Sequence, residues 1–554
     1  MKLLPLGTSN FKKLIEKNCY YADKTLLIKE LLDTQTEVII ITRPRRFGKT
    51  LNMSMLQYFF EKSKESNSHL FIDKAIWQEE ETYRALQGQY PIISLTFKDI
   101  KSETWEGAYR KTLDLIAHEF DRHNYLLHGT ISSYAIAKFQ SIIGQNADQS
   151  VIETSLSFLS ELLYNHYGKR VIILIDEYDT PITTSYYYDY YDKMIIFMRS
   201  LLSGALKDNN FLERAIVTGI LRIAKESILS GLNNIIVSSV TSTFFQDKFG
   251  FTQQEVKELL KDQKLSDKIV DVQEWYNGYM FGSETIYNPW SILQCAFERG
   301  LIKPYWLNTS DNLLIKKLIT SAQEDVKADL ELLMTGQAVT KEINEGIVFP
   351  NLERNDTALW SMLVFSGYLT YKKLEIIEGD VICDLAIPNK EVNRVYTSLV
   401  KDIFESSLTS NKITNILKSL TEGDAQTFAI ILQEFIGNSM SSFDFSPTEP
   451  EKSYHLFVLG LLVYLSNTHE IKSNRESGNG RYDIMIIPKK PNQLGIVLEF
   501  KKVEPSESLE LAANRALEQI KTKNYMQELK SRGIKKILLL GIAFQGKNLL
   551  LKAE

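Results

Sequence analysis

The chain has 554 residues, of which 44% are hydrophobic, and it carries a formal net charge of −5. This length predicts roughly two to four globular domains with ordinary apolar cores, which excludes a disordered or fibrous protein. The acidic balance argues against a chain that coats nucleic acid non-specifically, although it is compatible with a local basic groove.

The amino terminus and the cysteines bear on location. The apolar stretch in MKLLPLGTSNF is too short for a signal peptide, and no run in the chain reaches the length needed to span a bilayer. Cys19, Cys295 and Cys383 lie far apart and lack the spacing of metal ligands, which predicts a reducing compartment and no zinc site. We therefore expect a cytoplasmic protein with no membrane partner.

A phosphate loop is predicted after the apolar run at 38–41, because RPRRFGKT and then LNMSMLQYFF follow it. Gly48 lets the backbone approach phosphate, Lys49 reaches the β- and γ-phosphates, and Thr50 can ligate Mg²⁺. Arg43 stands where the GxxxxGK[ST] pattern has its first glycine, so a turn that binds nothing is the alternative. The candidate ATP-binding residues are Arg43, Pro44, Arg45, Arg46, Phe47, Gly48, Lys49 and Thr50.

Two acids follow a later buried strand. After a strand at 92–97 and helical stretches around 103–126 and 134–166, the run VIILI at 171–175 ends in Asp176 and Glu177. This is the Walker B arrangement, in which Asp176 holds Mg²⁺ through water and Glu177 polarises the attacking water. An acidic turn that caps a core strand is the alternative.

Two more apolar runs, at 215–219 and 235–240, complete five strands separated by helices. This order predicts a parallel sheet with the nucleotide at its carboxyl edge. Thr218, at the end of its strand, is a candidate sensor of the γ-phosphate. Arg222 is a candidate contact to that phosphate in cis or an arginine finger in trans, and a surface pair with Glu226 is the alternative.

Six segments together resemble the bacterial AAA-ATPase-like family that carries a C-terminal PD-(D/E)xK nuclease-like domain. They are RPRRFGKT, LIDEYDTP, TGILRIAKESILSGLNNI, YNGYMFG, YNPWSI and LWSMLVFSGYLT. The resemblance runs almost end to end, and arginine in place of the first Walker A glycine is typical of that family. It implies an α/β chain with a P-loop, AAA-like ATPase domain, beside whose nucleotide site the first 36 residues pack.

The middle of the chain is predicted to form a lid and a connector. FTQQEVKELLKDQ predicts a helix that begins at Thr252. The aromatic motifs at 276–292 predict a lid, and 359–387 predicts a helix and a β-ribbon of winged-helix type, which is compatible with nucleic-acid binding or with a lid alone. SSFDFSPTEPEKS, at 441–453, marks a boundary. The predicted division is an ATPase domain at 1–250, a lid and winged-helix-like region at 251–390, a helical connector at 391–445 and a nuclease-like domain at 446–554.

The last hundred or so residues read as helix, strand, strand, helix, strand, the order of a PD-(D/E)xK restriction-endonuclease-like core. Strand parity places Val497, Glu499 and Lys501 on one face and Ile496, Leu498 and Phe500 on the other. Asp483 in the neighbouring strand, Glu499 and the Phe500 carbonyl can ligate Mg²⁺, with Mn²⁺ as a further candidate. Lys501 would position the attacking water. An edge strand with a surface ion pair is the alternative.

The resemblance adds three further residues to this site. It implies that Glu451 is a helix-borne acid, that His455 lies one turn along the same face, and that Gln519 is the polar residue of the later helix. A basic group follows, which could track a phosphate backbone or be a solvated face: Arg515, Lys521, Lys523, Lys530, Arg532, Lys535 and Lys536.

The sequence leaves two functions open. The first is an ATP-binding, ATP-hydrolysing protein whose nucleotide state regulates a Mg²⁺-dependent nuclease that acts on DNA, with RNA as the alternative substrate. The second is an ATP-driven switch or scaffold that uses a catalytically silent nuclease fold for binding. Its expected partners are ATP and nucleic acid, together with further copies of the chain in a homo-oligomer.

Overall fold

The computed structural model describes most of the chain. The described residues are 1–129, 131–223, 235–306, 324–334, 336–347, 349, 352, 355–405, 410–439, 462, 465, 468–477, 480–490, 492–504, 506–546 and 548–554. Contacts group the chain into two units. The first comprises Met1–Asp311 and Thr340–Glu391, and the second comprises Asn312–Val339 and Val392–Glu554. The four-part division predicted from the sequence stays a prediction.

The first unit is built on a parallel sheet. The five strands of this sheet are β1 (Val38–Thr42), β2 (Ile92–Thr96), β3 (Val171–Asp176), β4 (Leu212–Gly219) and β6 (Ile235–Ser238). The short strand β5 (Arg222–Ile223) lies between β4 and β6 in the chain and is not part of this sheet. The sheet order is β2-β3-β4-β1-β6, and every neighbouring pair is parallel. All residues of β1 and β3 are buried, as expected for strands covered on both faces. This confirms the predicted five-stranded parallel sheet.

The helices up to residue 405 belong to the first unit, except that 324–334 and 392–405 fall in the second. In chain order they are α1 (Phe11–Glu16), α2 (Leu26–Asp33), α3 (Lys49–Phe60), α4 (Ala75–Gln78), α5 (Glu81–Arg84), α6 (Trp105–Arg122), α7 (Ser133–Ile143), α8 (Gln149–Glu153), α9 (Ser155–Tyr167), α10 (Thr180–Tyr187), α11 (Tyr191–Leu206), α12 (Gln253–Asp262), α13 (Ile269–Tyr276), α14 (Pro289–Phe297), α15 (Glu324–Met334), α16 (Asp356–Phe365) and α17 (Lys390–Glu405). The stretch 134–166 is three helices rather than one, because Gly144 ends the first of them.

The predicted helix start at Thr252 is confirmed. The Thr252 hydroxyl accepts a hydrogen bond from the Glu255 backbone N–H, and the Glu255 carboxylate accepts one from the Thr252 N–H at 2.7 Å. This reciprocal capping box satisfies two amide donors at the start of α12. The same carboxylate forms an ion pair with the Lys24 ammonium at 2.6 Å. This ion pair connects the amino-terminal segment to the start of α12.

The region 251–390, predicted to be a lid, contains the predicted helix and ribbon. The remaining strands are β7 (Tyr279–Phe281), β8 (Glu284–Ile286), β9 (Val339–Ile343), β10 (Gly346–Ile347), β11 (Thr370–Ile377) and β12 (Asp380–Ala386). The pairs β7–β8 and β11–β12 are antiparallel, whereas β10 pairs in parallel with β5. Helix α16 comes directly before the β11–β12 ribbon, as the sequence predicted.

The second unit has its own sheet. Its strands are β13 (His469–Ser477), β14 (Gly480–Pro488), β15 (Gly495–Lys502), β16 (Ile537–Gln545) and β17 (Asn548–Ala553), in that order. Its further helices are α18 (Ser410–Glu422), α19 (Ala425–Ser439), α20 (Leu509–Thr522) and α21 (Gln527–Ser531). Strands β15 and β16 pair in parallel, and the other three neighbouring pairs of this sheet are antiparallel. The predicted strand, strand, helix, strand order is present, and β13 and β17 extend it at both edges.

The predicted parity of β15 is visible in the cores on its two faces. Ile496, Leu498 and Phe500 pack in a cluster with residues of α18 and α19. Val497 packs in a second cluster with residues of α20. Glu499 and Lys501 therefore lie on the face that α20 covers.

Within the described ranges, no helix combines the length and the apolarity required to cross a membrane.

The contact between α20 and β16 gives the first testable prediction. A Cβ atom at Gly541 of β16 would lie 2.5 Å from the Ala513 carbonyl oxygen and 2.7 Å from the Leu517 backbone nitrogen. Gly541→Ala should force α20 away from the sheet and destabilise the second unit by about 1–3 kcal/mol. Hydrogen exchange in β14–β16 measures this effect, and exchange in β1–β4 of the same chain is the internal reference.

The matched control for that variant is Leu511→Ala, on the same helix, because the Leu511 side chain is 60% exposed. It should change stability by no more than about 0.5 kcal/mol. Equal exchange in Gly541→Ala and Leu511→Ala would contradict the close backbone packing.

Candidate functional site

The first unit contains a cleft of about 460 Å³ at the phosphate loop. The loop contributes the run from Arg45 to Asn52, and Glu177 and Thr180 line the cleft after β3. Lys98 and Lys101, after β2, add positive charge. The amino-terminal segment and the lid supply a largely apolar part of the lining: Pro5, Leu14, Tyr20, Tyr21, Ala22, Phe251, Pro289, Trp290 and Leu293.

The loop turns into α3 at Gly48, whose φ is +86°, a conformation that glycine adopts without a Cβ penalty. Lys49 begins the helix, so unpaired backbone N–H groups of its first turn face the loop. The Lys49 ammonium is buried and donates to the carbonyl oxygens of Arg43 at 2.8 Å and Pro44 at 2.9 Å. Burial lowers the pKa of this ammonium, and the neighbouring carboxylates of Glu177 and Asp176 oppose that effect.

The two residues expected to hold Mg²⁺ beside the nucleotide are in direct contact. The Thr50 hydroxyl donates to one oxygen of Asp176 at 2.7 Å. The Thr218 hydroxyl donates to the other oxygen, and Asp176 and Thr218 are both buried. The strand order β3-β4-β1 brings these three residues together, because it places β4 between β3 and the strand that precedes the loop.

Glu177 lines the cleft with an uncommon backbone conformation. Its φ is +53°, which is strained for a residue with a side chain and is held only where the surroundings fix it. The Thr180 hydroxyl donates to its carboxylate at 3.3 Å. The carboxylate that the sequence assigned to water activation therefore faces the cleft.

Asp179 was missed by the sequence reasoning, although it stands within the DEYDTP motif. Its buried carboxylate accepts from the backbone N–H groups of Ile220 and Leu221, both at 2.9 Å. Gly219 is required beside it, since a Cβ there would lie 2.7 Å from Asp179 and 2.8 Å from the Tyr178 ring. The turn after β3 is thus hydrogen-bonded to the turn after β4, close to Thr218.

The structure corrects the expectation for the Arg43 side chain. It does not line the cleft but is fully buried. Its guanidinium donates to the carbonyl oxygens of Thr42, Ser238 and Ser239 at 2.7–2.9 Å, and to those of Phe244 and Phe245. The rings of Phe249 and Phe281 lie against it. At the position of the first Walker A glycine, arginine therefore binds the loop to the segment after β6.

Arg222, the candidate phosphate contact, lies in strand β5 and does not line the cleft. Its guanidinium is 3.6 Å from the Glu345 carboxylate, because β5 pairs with β10 at Gly346. The alternative partner, Glu226, falls outside the described residues, as do 224–234 of the TGILRIAKESILSGLNNI motif.

Other loop side chains contact separate parts of the lid. Phe47 is buried against the rings of Tyr279 and Phe281, with centroids 5.0 and 5.1 Å apart. The Arg46 guanidinium lies 4.6 Å from the Trp290 ring centroid. A Cβ at Gly367 would lie 2.9 Å from Pro44. Pro44, Arg46 and Phe47 thus contact residues between 279 and 367, in the region predicted to be a lid.

The second unit brings the predicted nuclease residues together. The Asp483 carboxylate accepts from the Phe500 N–H at 2.7 Å, and the Asp483 N–H lies 3.4 Å from a Glu499 oxygen. The Lys501 ammonium donates to Glu499 at 3.0 Å. Glu499 is 1% exposed, and burial together with the charge of Asp483 raises its pKa to about 7.

Gln519 on α20 completes the described part of this site by donating to Glu499. The same amide donates to the hydroxyl of Tyr525 at 3.0 Å. Sequence reasoning missed the buried Tyr525, and its aromatic character six residues after Gln519 was the available signal. Glu451, His455 and the boundary at 441–453 lie outside the described residues.

The predicted basic face is partly neutralised by carboxylates. Arg515 pairs with Glu504 and Glu507, Lys521 with Glu518 and Glu554, and Arg532 with Glu470 and Glu528. This leaves Lys523, Lys530, Lys535 and Lys536 as the members of the group with no carboxylate pair in the described part of the chain. The positive surface available to a phosphate backbone is therefore smaller than the sequence indicated.

Two parts of the chain match known protein families. Residues 5–229 match the family described as Predicted AAA-ATPase, and residues 449–554 match the PD-(D/E)XK nuclease superfamily. The chain joins an AAA-ATPase-like domain to a PD-(D/E)XK nuclease superfamily domain. This confirms the resemblance and the fold class inferred from the sequence motifs.

Two individual proteins are similar to this AAA-ATPase-like and PD-(D/E)XK chain. One, from Azotobacter chroococcum mcd 1, is described as an uncharacterized protein in the vnfD 5′ region. It is 25% identical over 557 residues, covering 98% of this chain and 96% of the relative. The other is the Aeropyrum pernix ORC2 protein in ADPNP and ADP complexes. It is 9% identical with a TM-score of 0.22, covering 68% of this chain and 92% of that one.

The buried Arg43 guanidinium gives the second prediction. Arg43→Lys keeps the charge but removes the forked donors, leaving buried carbonyl groups unpaired at a cost of about 1–3 kcal/mol each. The variant should therefore melt at a lower temperature than wild type and bind ATP more weakly, because the loop loses its attachment. Arg45→Lys, at a half-buried position of the same loop, is the control for melting temperature. Equal melting of the two variants would contradict the structural role of Arg43.

Proposed function

We propose that the protein binds and hydrolyses ATP, and that its nucleotide state regulates a Mg²⁺-dependent nuclease domain that acts on DNA. RNA is the alternative substrate. The observation that carries the proposal is the arrangement at the phosphate-loop cleft, which Thr50 and Glu177 line and where the Thr50 hydroxyl donates to Asp176. The convergence of Asp483, Glu499 and Lys501 in the second unit supports its nuclease part.

In the ATPase unit the backbone N–H groups at Gly48–Thr50 would bind the phosphates, and Lys49 would exchange its two carbonyl acceptors for phosphate oxygens. Thr50 and Asp176 would hold Mg²⁺, which neutralises charge on the β- and γ-phosphates when bound. Glu177 would orient a water for attack on the γ-phosphorus and take up its proton. Thr218, bonded to Asp176, would keep that carboxylate in position.

The residues of the nuclease site fit a hard divalent cation. Two carboxylates lie side by side, and the charge of Asp483 disfavours ionisation of Glu499, a repulsion that a cation would relieve. Asp483, Glu499 and the Phe500 carbonyl oxygen would hold Mg²⁺ or Mn²⁺. When bound, the metal lowers the pKa of water and stabilises charge on the phosphodiester. Lys501 would orient the attacking water, and Gln519 would hold Glu499 in place.

The ion pairs on the basic face support a second candidate function. Because Arg515, Lys521 and Arg532 are engaged with carboxylates, the nuclease fold could serve an ATP-driven switch or scaffold that binds partners without cutting. In either case we propose a cytoplasmic protein that can assemble as a homo-oligomer. Nuclease assays with Mg²⁺ or Mn²⁺ against single-stranded DNA, double-stranded DNA and RNA decide between the two.

The third prediction separates nucleotide binding from hydrolysis. Lys49→Ala should weaken ATP binding by tenfold or more, about 1.4 kcal/mol, because the cleft loses the cation that faces the terminal phosphates. Glu177→Gln should bind ATP as wild type does and lose hydrolysis, because an amide cannot accept the proton of the attacking water. Equilibrium binding and phosphate release measure the two effects. Undiminished turnover in both variants would exclude this cleft as the ATPase site.

The fourth prediction concerns the metal site. Asp483→Asn removes one of the two charged ligands and should abolish metal-dependent cleavage while leaving ATP turnover unchanged, because the ATPase residues lie in the other unit. Glu518→Gln is the control, since that carboxylate is on α20 but its bond is to Lys521 at the surface. Cleavage that survives in Asp483→Asn would place the nuclease chemistry elsewhere. Absence of cleavage in the wild type would favour the scaffold.

A further inference from the structure

Helix α14 carries the YNPWSI motif, to which neither proposed reaction assigns a role. Asn288 caps the helix, its side chain accepting from the Trp290 N–H at 2.9 Å, and Pro289 is in the first turn. Both residues favour a sharply defined helix start. Trp290 and Ser291 are consecutive, so their side chains leave the helix about 100° apart. Adjacent residues of one short helix can therefore contact two different parts of the protein.

One side of α14 is part of the nucleotide cleft. Pro289, Trp290 and Leu293 line it, and the Arg46 guanidinium of the phosphate loop lies over the Trp290 ring. The Trp290 indole N–H donates to the Tyr305 carbonyl at 3.3 Å. A nucleotide that enters the cleft will meet this indole or the arginine that covers it.

The other side of α14 holds a buried carboxylate. The Ser291 hydroxyl donates to one oxygen of Glu391 at 2.7 Å, and the Trp306 backbone N–H donates to the other at 2.8 Å. Ser291 and Glu391 are both 0% exposed. These donors are neutral, and burial raises the pKa of Glu391 to about 7. An apolar residue would be less costly in such a place, so the carboxylate fixes a particular arrangement at the expense of stability.

Glu391 stands where the chain passes from one unit to the other. It is in the first turn of α17, and the grouping of contacts assigns Glu391 to the first unit and Val392 onward to the second. The Ser291 bond is therefore a direct connection, within the first unit, from the helix that lines the cleft to the helix that continues into the nuclease-bearing unit.

We propose that Glu391 is a positioning residue that couples the nucleotide cleft to helix α17 through Ser291 and α14. This inference rests on the proposed nucleotide binding and specifies how that site is linked to the rest of the chain. Nucleotide contacts at Arg46 and Trp290 shift α14 as one body, and the Ser291 hydroxyl moves the first turn of α17 with it. Such coupling requires that nucleotide binds one position of α14 better than another.

The test uses the full chain and the variants Ser291→Ala and Glu391→Gln. Ser291→Ala removes the bond from α14 and leaves the Trp306 bond intact. Glu391→Gln retains the shape and one carbonyl acceptor, so it should keep part of the coupling. Ser160→Ala is the matched control: Ser160 is also a buried helical serine, but its hydroxyl bonds to the Leu156 carbonyl of its own helix.

Hydrogen exchange across 390–405 is measured without nucleotide, with ADP and with a non-hydrolysable ATP analogue. A fluorescent ATP analogue measures affinity separately. In wild type and Ser160→Ala, the ATP analogue should change exchange in the first turns of α17 by about tenfold, the usual size of such coupling. In Ser291→Ala this change should be lost while nucleotide affinity stays within about threefold, because coupling and intrinsic binding are separate quantities. Glu391→Gln should give an intermediate change.

The outcomes separate the inference from the function on which it rests. If the wild type binds nucleotide and exchange at 390–405 does not respond, the coupling is wrong and ATP binding stands. A response that is equal in wild type and Ser291→Ala would also overturn it, because the proposed connection would not be used. If the wild type fails to bind the fluorescent analogue, the proposed nucleotide site itself is wrong, and the coupling falls with it.

Discussion

The buried guanidinium of Arg43 is the interaction on which the nucleotide-binding unit depends. A phosphate loop is usually bent by glycine at this position, which leaves the loop free of side-chain contacts. Here an arginine extends from the loop into the protein and satisfies a group of backbone carbonyls after β6. The two terminal amino groups of the guanidinium make these bonds, and the single ammonium of lysine could not reproduce their planar fork. The loop is thereby joined to the segment that leads into the lid.

This arrangement divides the work of the loop between its backbone and its side chains. Gly48 and the first turn of α3 present N–H groups, while Pro44, Arg46 and Phe47 contact Gly367, Trp290 and Tyr279 on different lid segments. A change in the loop conformation on phosphate binding would therefore alter its contacts with several segments of the region predicted to be a lid. The three motifs YNGYMFG, YNPWSI and LWSMLVFSGYLT thus share one feature, which is close packing against a loop rich in side chains.

Sequence patterns over a few neighbouring residues correctly predicted the features that depend on local backbone geometry. The helix start at Thr252, the buried strands and the two faces of β15 all follow from residues close in sequence, so the sequence was sufficient for them. The roles of Arg43, Arg222 and Asp179 depend on partners more than 40 positions away, such as Ser238, Glu345 and Leu221. The periodicity of apolar residues in a helix or a strand does not indicate contacts between residues so far apart in sequence. Strand β13 was missed because HEIKSNRES is polar, and its place in the sheet comes from pairing with β14.

We propose that the nucleotide state of the first unit controls cutting by the second. Metal-assisted hydrolysis of a phosphodiester needs no ATP, so control of cleavage is the role that we propose for nucleotide binding. The most direct measurement is the rate of Mg²⁺-dependent DNA cleavage by the full chain without nucleotide, with ATP, with a non-hydrolysable analogue and with ADP. The account predicts rates that differ between these states, with Glu177→Gln in ATP behaving as the analogue does. Equal rates in all four states, with an unchanged assembly state, would contradict it.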